Sequence, residues 1–342
     1  MSRPVAVVGF AKSSFAPVEA TNDVELVMPV VAEVLSSAGL SIGDIGFTCS
    51  GSTDYLAGVP FSFVGALDAV GAWPPIEESH VEMDGAWALY EAWVRLQLGD
   101  IDTALVYCFG KSSLSNGLSE LMALQLDPYV LAPLWPDAVS LAALQARAGL
   151  DSGAFTEDDM AAVVARTGGS PVSDLADAGY FVAPLRKRDC PPINDGAAAV
   201  ILAAGDAARR LSPRPAWIRG IDHRIETHSL GARDLAVSPS TRDAGTAAGA
   251  VGEGVKEFDA AELHAPFSHQ ELILRTALSL DGSVSINPSG GALRANPVMV
   301  AGLDRIGEAA RLIWAGGADR VLAHATSGPC LQQNLVCVME AD

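Results

Sequence analysis

The sequence predicts an α/β protein that is built from two related halves. Apolar strands alternate with amphipathic helices along the 342-residue chain, and 49% of the residues are hydrophobic. Residues 85–110 also align without a gap on residues 302–327, which lie 217 positions later, and each segment predicts a helix, a Gly/Asp turn and a short strand. A period of this length indicates two duplicated domains, because solenoid repeats span about 20 to 50 residues.

The elements of the first half follow from their hydrophobic patterns and their end signals. The predicted strands cover residues 4–10, 45–51 and 79–83. The predicted helices cover residues 23–38 and 85–98, and Gly39 terminates the first of them. Since strands and helices alternate at this spacing, we expect a mostly parallel sheet that is covered on both faces.

The alternation breaks at residues 111–185, which contain five prolines and short helical pieces at 137–148 and 156–166. We interpret this stretch as an excursion from the first domain that covers a site. A strand at 194–202 resumes the regular pattern, a second half begins with a strand at 215–220, and residues 227–256 predict a flexible loop that leads into a helix. The predicted domains are residues 1–210 and 211–342.

The charge balance argues against a broad nucleic-acid-binding surface. The net charge is −19 and the isoelectric point is near 4.6, whereas phosphate recognition needs clustered basic side chains. The dense basic run Arg186-Lys187-Arg188 has two interpretations, a solvated turn or a local patch for an anionic cofactor.

The remaining composition predicts a cytoplasmic protein without a membrane partner. No stretch reaches the roughly 18 apolar residues that a membrane helix needs, and the N-terminus does not resemble a signal peptide. Five cysteines without a CxxC pair indicate neither a disulfide framework nor a zinc site. His264 and His269 are five residues apart, which does not place them on one helix face, so we expect no metal site.

Four stretches together resemble the thiolase superfamily in their order and spacing. They read EMDGAWA at 82–88, NDGAAA at 194–199, ELHAPFS at 262–268 and NPSGGALRANP at 287–297. The resemblance covers essentially the whole chain and is greatest to the sterol-carrier or lipid-transfer type of thiolase-like protein in actinobacterial steroid catabolism. It implies a thiolase fold with two duplicated αβαβα halves, and a second thiolase-like subunit as partner.

The departures from the family pattern concern the catalytic residues. Gly85 stands where the resemblance implies a nucleophilic cysteine at the start of a helix, although Asp84 remains a plausible N-cap. Asn296 replaces the family's Gly-His-Pro histidine, and Cys330 lies two residues away from the position of the second cysteine. We therefore expect no acyl-cysteine intermediate in this chain.

The residues that remain are suited to stabilising an enolate. The resemblance places His264 and Asn296 at two positions of an oxyanion hole, where neutral N–H donors face the developing charge. The alternatives are a satisfied buried histidine and an amide that ties down a turn. Cys330 is a candidate base or nucleophile, or an inert buried thiol. We expect Asp195 to be a turn and helix-capping residue rather than a catalytic acid.

The same resemblance suggests the ligand and the interface. Ser289, Gly290 and Gly291 are the candidate contacts to coenzyme A, which we expect only as part of the substrate, although a tight turn needs the same glycines. Tyr55 and Phe61, together with the nearby Phe63, lie where the family forms its subunit contact.

Two functions follow from this pattern. The first is an acyl-CoA-handling subunit of steroid or lipid catabolism that makes or breaks a C–C bond by a retro-aldol or retro-Claisen step, for which His264 is the candidate base. The alternative is a non-catalytic thiolase-like subunit that stabilises and shapes the site of a catalytic partner.

Overall fold

A computed structural model describes residues 3–17, 21–113, 118–168 and 179–342. Within these ranges ten strands form one sheet. The strands are β1 (Val5–Lys12), β2 (Phe47–Gly51), β3 (Glu78–Val81), β4 (Thr103–Lys111), β5 (Asp195–Ala204), β6 (Ala216–Ile225), β7 (Ala260–Leu263), β8 (Ser285–Ile286), β9 (Arg320–Ser327) and β10 (Gln333–Glu340).

The strand order shows the duplication directly. From one edge to the other it is β3-β2-β4-β5-β1-β6-β10-β9-β7-β8. The first five strands and the last five, read from opposite edges, have the same order within their half, and β1 meets β6 in the middle. The boundary predicted between residues 210 and 211 falls near the end of a helix and stays a prediction.

The helices surround this sheet in layers. They are α1 (Asp23–Ala38), α2 (Asp54–Ala57), α3 (Ser62–Val70), α4 (Gly85–Gln97), α5 (Leu118–Leu124), α6 (Ala138–Ser152), α7 (Glu157–Gly168), α8 (Gly205–Leu211), α9 (Pro239–Ala247), α10 (Ser268–Ala277), α11 (Gly291–Arg294) and α12 (Ala301–Trp314). Helices α4 and α12 pack together against the inner face of the sheet, α1 and α3 cover the outer face of the first half, and α9 and α10 cover that of the second. The αβαβα layering therefore arises from the two halves together.

The central layer is the largest apolar cluster. It contains inward side chains of β1, β2, β4 and β5 from the first half, and of β6, β9 and β10 from the second, around α4 and α12. Both helices are buried along most of their length, because each packs against its own half of the sheet and against the other helix.

Helix α1 forms where its end signals predict it. Asn22 accepts a hydrogen bond from the Glu25 amide at 2.9 Å, and the Glu25 carboxylate accepts one from the Asn22 amide at 3.0 Å. At the other end Gly39 has a left-handed φ of 66°, which glycine adopts without steric cost.

Two expectations about the fold are wrong. The sheet is mixed, since β4, β5, β1, β6, β10 and β9 pair antiparallel and only the strands toward each edge pair parallel. Strands β9 and β10 are joined by a short turn without a helix, which forces them to run in opposite directions. Residues 227–256 are not a loop that precedes a helix, because α9 lies inside them with Pro239 at its first turn.

The excursion of residues 111–185 is partly helical. It contributes α5, α6 and α7, while residues 114–117 and 169–178 lie outside the described part of the chain. Helices α6 and α7 pack on α10, and Gln145 of α6 hydrogen bonds His269 and Gln270 there. The described excursion thus covers the outer face of the second half.

Candidate functional site

The two central helices begin at the same carboxylate. Asp84 is buried and caps α4, because its Oδ1 accepts the Ala86 N–H at 2.9 Å. The same side chain accepts the N–H groups of Gly302 at 2.9 Å and Leu303 at 3.1 Å, which belong to the first turn of α12. Burial raises the pKa of Asp84, and these three donors oppose that effect.

Close contacts surround Gly85, the position where the resemblance implies a nucleophile. A Cβ added to Gly85 would lie 2.6 Å from Cys108 Sγ and 3.0 Å from Leu303 Cβ. The absence of a side chain at this helix start is therefore a packing requirement of the fold in this protein, as well as a change in its chemistry.

His264 and Asn296, the two residues that the resemblance assigns to an oxyanion hole, are in contact. His264 Nε2 lies 2.9 Å from Asn296 Oδ1, and Nδ1 accepts the Thr326 backbone N–H at 3.3 Å. Since Nδ1 is an acceptor, the proton of the neutral imidazole is on Nε2, which donates to Asn296. Burial lowers the pKa of His264, and the Asp84 carboxylate opposes this shift only in part, so the ring is neutral near pH 7.

This geometry favours one of the two chemical roles predicted for His264. A general base needs an unprotonated ring nitrogen that faces the substrate, but Nδ1 of His264 is occupied by the backbone of Thr326. The Nε2–H is directed at the side chain of Asn296, which is only half-buried. His264 is thus arranged as an N–H donor, and the expectation that it acts as the base is not favoured.

The backbone of Asn296 is held by the first half of the chain. Asn194 Oδ1 accepts the Asn296 N–H at 3.0 Å, and Asn194 Nδ2 donates to the Phe15 carbonyl at 3.2 Å. The NDGAAA and NPSGGALRANP stretches are therefore joined by a direct hydrogen bond. Asp195, next to Asn194, begins β5 and accepts the Ser113 N–H at 2.8 Å, so the predicted helix cap is wrong.

A buried ionic cluster lies on the same face of β7 as His264. Glu262 precedes His264 by two residues, a spacing that places both on one face of a strand. Arg305 Nη1 contacts Glu262 Oε2 at 2.8 Å, Arg305 also pairs with Asp304, and Lys12 Nζ lies 2.7 Å from Asp304 Oδ1. Positive charge from Arg305 further lowers the pKa of His264 and favours its neutral form.

The candidate coenzyme A contacts have other partners. Ser289 Oγ donates to Glu262 Oε2 at 2.8 Å and accepts from Arg305 Nη1 at 2.6 Å, so its hydroxyl belongs to the ionic cluster. Gly290 and Gly291 have φ values of 103° and 65°, which the turn before α11 requires. The ligand contacts predicted for these three residues stay predictions that this geometry does not favour.

The thiol of Cys330 is directed toward the excursion. Cys330 Sγ donates to the Leu141 carbonyl at 3.3 Å and packs with Leu141 and Leu235. Burial raises the pKa of Cys330 to about 11. A thiol with this pKa is a poor nucleophile near neutral pH, so the catalytic role predicted for Cys330 stays a prediction without support from its contacts.

Three features of the site were not predicted from the sequence. They are the second helix that Asp84 caps, the ionic cluster around Arg305, and Cys108 beside Gly85. Of the three, only Cys108 could have been noticed in the sequence. The repeat aligns it with Ala325, so a cysteine in the first half stands where the second half has an alanine. The others depend on contacts between distant residues, such as Glu262 and Arg305, which are 43 positions apart.

The basic run has a structural role at its first residue. Arg186 Nη1 pairs with Glu157 Oε2 at 2.8 Å, and its guanidinium lies over the Tyr180 ring.

Within the described residues no cluster of His, Cys, Asp and Glu is arranged to hold a metal ion, and none of the helices is both long and apolar enough to cross a bilayer.

A cavity of about 790 Å³ opens at the edge of the first half, beside the predicted subunit contact. Tyr55, Phe61 and Phe63 line it together with His80 and other residues of α2, α3 and the end of β3. Phe61 is 69% exposed and Tyr55 is 45% exposed, so this edge presents two aromatic residues to solvent.

Comparison with known proteins identifies the fold. An Ltp2–ChsH2 (DUF35) aldolase superimposes with a TM-score of 0.81 and 18% identity, over 99% of this chain and 98% of that chain. Human mitochondrial 3-ketoacyl-CoA thiolase in complex with CoA gives a TM-score of 0.79 and 14% identity over the same shares, and a further structure of the human enzyme gives 0.77 and 15% over 99% of both chains. The chain has the thiolase fold.

Sequence comparison gives a partial relationship. An acetyl-CoA acetyltransferase of Methanothermobacter thermautotrophicus is 30% identical over an alignment of 151 positions, and the match covers 38% of this chain and 39% of that protein. The matched segment thus spans about two fifths of that relative. No protein-family model matches the chain.

Proposed function

We propose that this protein is a thiolase-like subunit that handles acyl-CoA thioesters and stabilises an enolate while a C–C bond is broken or formed. The reaction is of the retro-aldol type and has no acyl-cysteine intermediate. The proposed setting is steroid or lipid catabolism, with coenzyme A as part of the substrate.

The observation that carries this proposal is the neutral His264, whose Nε2–H is directed at Asn296. A thioester carbonyl that displaces Asn296 Oδ1 from this N–H would meet one donor from the imidazole and find the amide Nδ2 group beside it. Neutral donors aimed at a developing oxyanion are usually the largest catalytic contribution. Because the pKa of His264 is lowered, the ring keeps its N–H without carrying a charge.

The packing of Gly85 supports retro-aldol over retro-Claisen chemistry. A retro-Claisen step needs an acyl acceptor, which in a thiolase is a thiolate at the helix start, but Gly85 has no side chain and no room for one. A retro-aldol step breaks the Cα–Cβ bond while the β-hydroxyl becomes a carbonyl, and the electron pair of the broken bond passes into the enolate at the oxyanion hole. The β-hydroxyl proton goes to a base other than His264, which we assign to a water molecule or to the partner subunit, because Nδ1 of His264 already accepts the Thr326 N–H. The similar fold of an aldolase supports this assignment.

The expected partner is a second thiolase-like subunit, or otherwise a second copy of this chain. The exposed aromatic edge at Tyr55 and Phe61 supports an association at that surface. The similar aldolase is named for two components, Ltp2 and ChsH2, which supports a heteromeric assembly for this chain as well.

The test is turnover of β-hydroxyacyl-CoA thioesters by the purified chain, alone and with any protein that co-purifies with it, followed by mass spectrometry of the products. His264→Ala should lower kcat by at least about a hundredfold, because it removes an oxyanion donor. His264→Gln keeps an N–H donor but cannot act as a base, so it should retain turnover within about tenfold of the unchanged protein.

The matched control is His228→Ala, which changes a histidine that is partly exposed and outside this site. Equal losses in His264→Ala and His264→Gln would assign the role of base to His264. Unchanged turnover in His264→Ala would remove this residue from the mechanism.

A non-catalytic subunit is the second candidate function, and the closed helix start at Gly85 favours it. In that case the chain stabilises and shapes the site of a catalytic partner and binds part of the acyl-CoA. Turnover by the purified chain alone would refute this alternative, whereas turnover that requires the partner and persists in His264→Ala would support it.

A further inference from the structure

Gly85 is the first residue of α4, and its backbone conformation does not require glycine. Its φ lies outside the left-handed region, so any residue could adopt this backbone. The constraint is space alone. A Cβ at this position would lie 2.6 Å from Cys108 Sγ and 2.7 Å from Cys108 Cβ, which is closer than real Cβ atoms approach other heavy atoms.

Cys108 is fixed where it makes this contact. It lies in the middle part of β4, which pairs with β2 at Gly51 and with β5 at Ala198, and its side chain is fully buried in the central layer. Burial raises the pKa of the Cys108 thiol well above its ordinary value, and the nearby Asp84 carboxylate adds to this shift. The thiol is therefore held as a neutral, space-filling group.

The other half of the chain provides an internal comparison. Gly302 is the counterpart of Gly85 in the repeat, and Ala325 is the counterpart of Cys108. A Cβ on Gly302 would lie 2.4 Å from Asp84 Oδ1 and 2.7 Å from Ala325 Cβ. Both halves thus bring a strand equally close to a helix start, but only the first half adds a sulfur atom to that contact.

We propose that the Cys108 side chain closes the start of α4 and is the residue that excludes a nucleophilic side chain at position 85. Cys108 thereby determines the reaction specificity of the site, because it restricts the fold to chemistry that needs no acyl-cysteine. The role of Cys108 in reaction specificity rests on the proposed function, whereas the steric conflict between positions 85 and 108 does not.

The experiment is a double-mutant cycle read by thermal unfolding. The variants are Gly85→Cys, Cys108→Gly and the swap that carries both changes, which moves the thiol from the strand to the helix start. Gly85→Cys should lower Tm or abolish soluble expression, and the swap should be more stable than the sum of the two single changes predicts. Cys108→Gly alone reports the cost of glycine in a strand.

A Tm of Gly85→Cys equal to that of the unchanged protein would overturn the proposal, and so would a swap with no gain over the sum of the single changes. Alkylation of the unchanged protein, mapped by mass spectrometry, is the second measurement and does not depend on any variant folding. Native Cys108 should react at least about a hundredfold more slowly than the half-buried Cys190.

Alkylation of Cys108 at the rate of Cys190 would show an accessible thiol and would overturn the proposal. These measurements involve no acyl-CoA. A failure of the double-mutant cycle therefore refutes the steric role of Cys108, while a failure of acyl-CoA turnover refutes the proposed function and leaves the cycle intact.

Discussion

Asp84→Ala is expected to be among the most destabilising single substitutions in this protein. The side chain is 3% exposed and accepts three backbone hydrogen bonds, from Ala86 in α4 and from Gly302 and Leu303 in α12. Removal of the carboxylate leaves three buried N–H groups without an acceptor. At about 1 to 2 kcal/mol for each unpaired donor, the expected loss is about 3 to 6 kcal/mol.

That loss is large because domains of ordinary stability unfold at a cost of about 5 to 15 kcal/mol. Asp84→Asn provides a graded intermediate. The side-chain carbonyl of the introduced asparagine would still accept hydrogen bonds, but its NH₂ group would face a backbone N–H that it cannot accept. We therefore expect the free energy of unfolding to fall by about 1 to 3 kcal/mol.

The assay is urea unfolding at pH 7, followed by tryptophan fluorescence, with the midpoint and slope compared between variants. Asp137→Ala is the matched control, because Asp137 caps the single helix α6 by accepting the Val139 and Ser140 N–H groups. We expect it to cost about 0.5 to 2 kcal/mol. A loss in Asp84→Ala no larger than that of Asp137→Ala would refute the view that one carboxylate joins the two central helices.

Three further predictions concern pH, the ionic cluster and the interface. Burial lowers the pKa of His269 and His324 to about 3, whereas the unfolded chain binds their protons near the ordinary value of 6.5. The folded state thus binds fewer protons below pH 6.5, and each histidine should reduce the free energy of unfolding by about 1.4 kcal/mol per pH unit from 6.5 toward 3. His269→Gln should make this decline shallower, and an unchanged slope between pH 6.5 and 5 would contradict the assignment. Ser289→Ala should lower the free energy of unfolding in urea by about 1 to 3 kcal/mol, because the Ser289 hydroxyl belongs to the ionic cluster. The affinity for acyl-CoA, measured by calorimetry, should not change, and a tenfold loss of affinity would instead support a ligand contact. Phe61→Asp should dissociate the assembled protein in light scattering, since it places a charge in an exposed apolar surface, and an unchanged mass would argue against that interface.

Helices and strands were predicted correctly where local sequence signals determine their ends. Helix α1 covers Asp23–Ala38 and ends at Gly39, as predicted. Helix α4 begins at Gly85 after its cap, and the repeat predicted α12 and β9 in the second half. Capping and periodicity act over a few residues, so they can be read without knowledge of the rest of the chain.

Predictions from the sequence were wrong where a local pattern is compatible with more than one tertiary structure. Alternation of strands and helices favoured a mostly parallel sheet, but the turn between β9 and β10 and the long connection between β4 and β5 place antiparallel pairs through its centre. The glycines and small residues around α9 predicted a loop, although a helix that packs against a buried sheet face tolerates them.

By itself, the sequence determined the α/β class, the duplication and the likeness to the thiolase superfamily, and that likeness singled out His264 and Asn296. Only the tertiary structure decided what these residues can do. The direction of the His264 N–H depends on a backbone donor at Thr326, which is 62 positions away, and the space at Gly85 depends on a neighbouring strand. Proton positions and free volume depend on which distant atoms come into contact, and folding alone brings those atoms together.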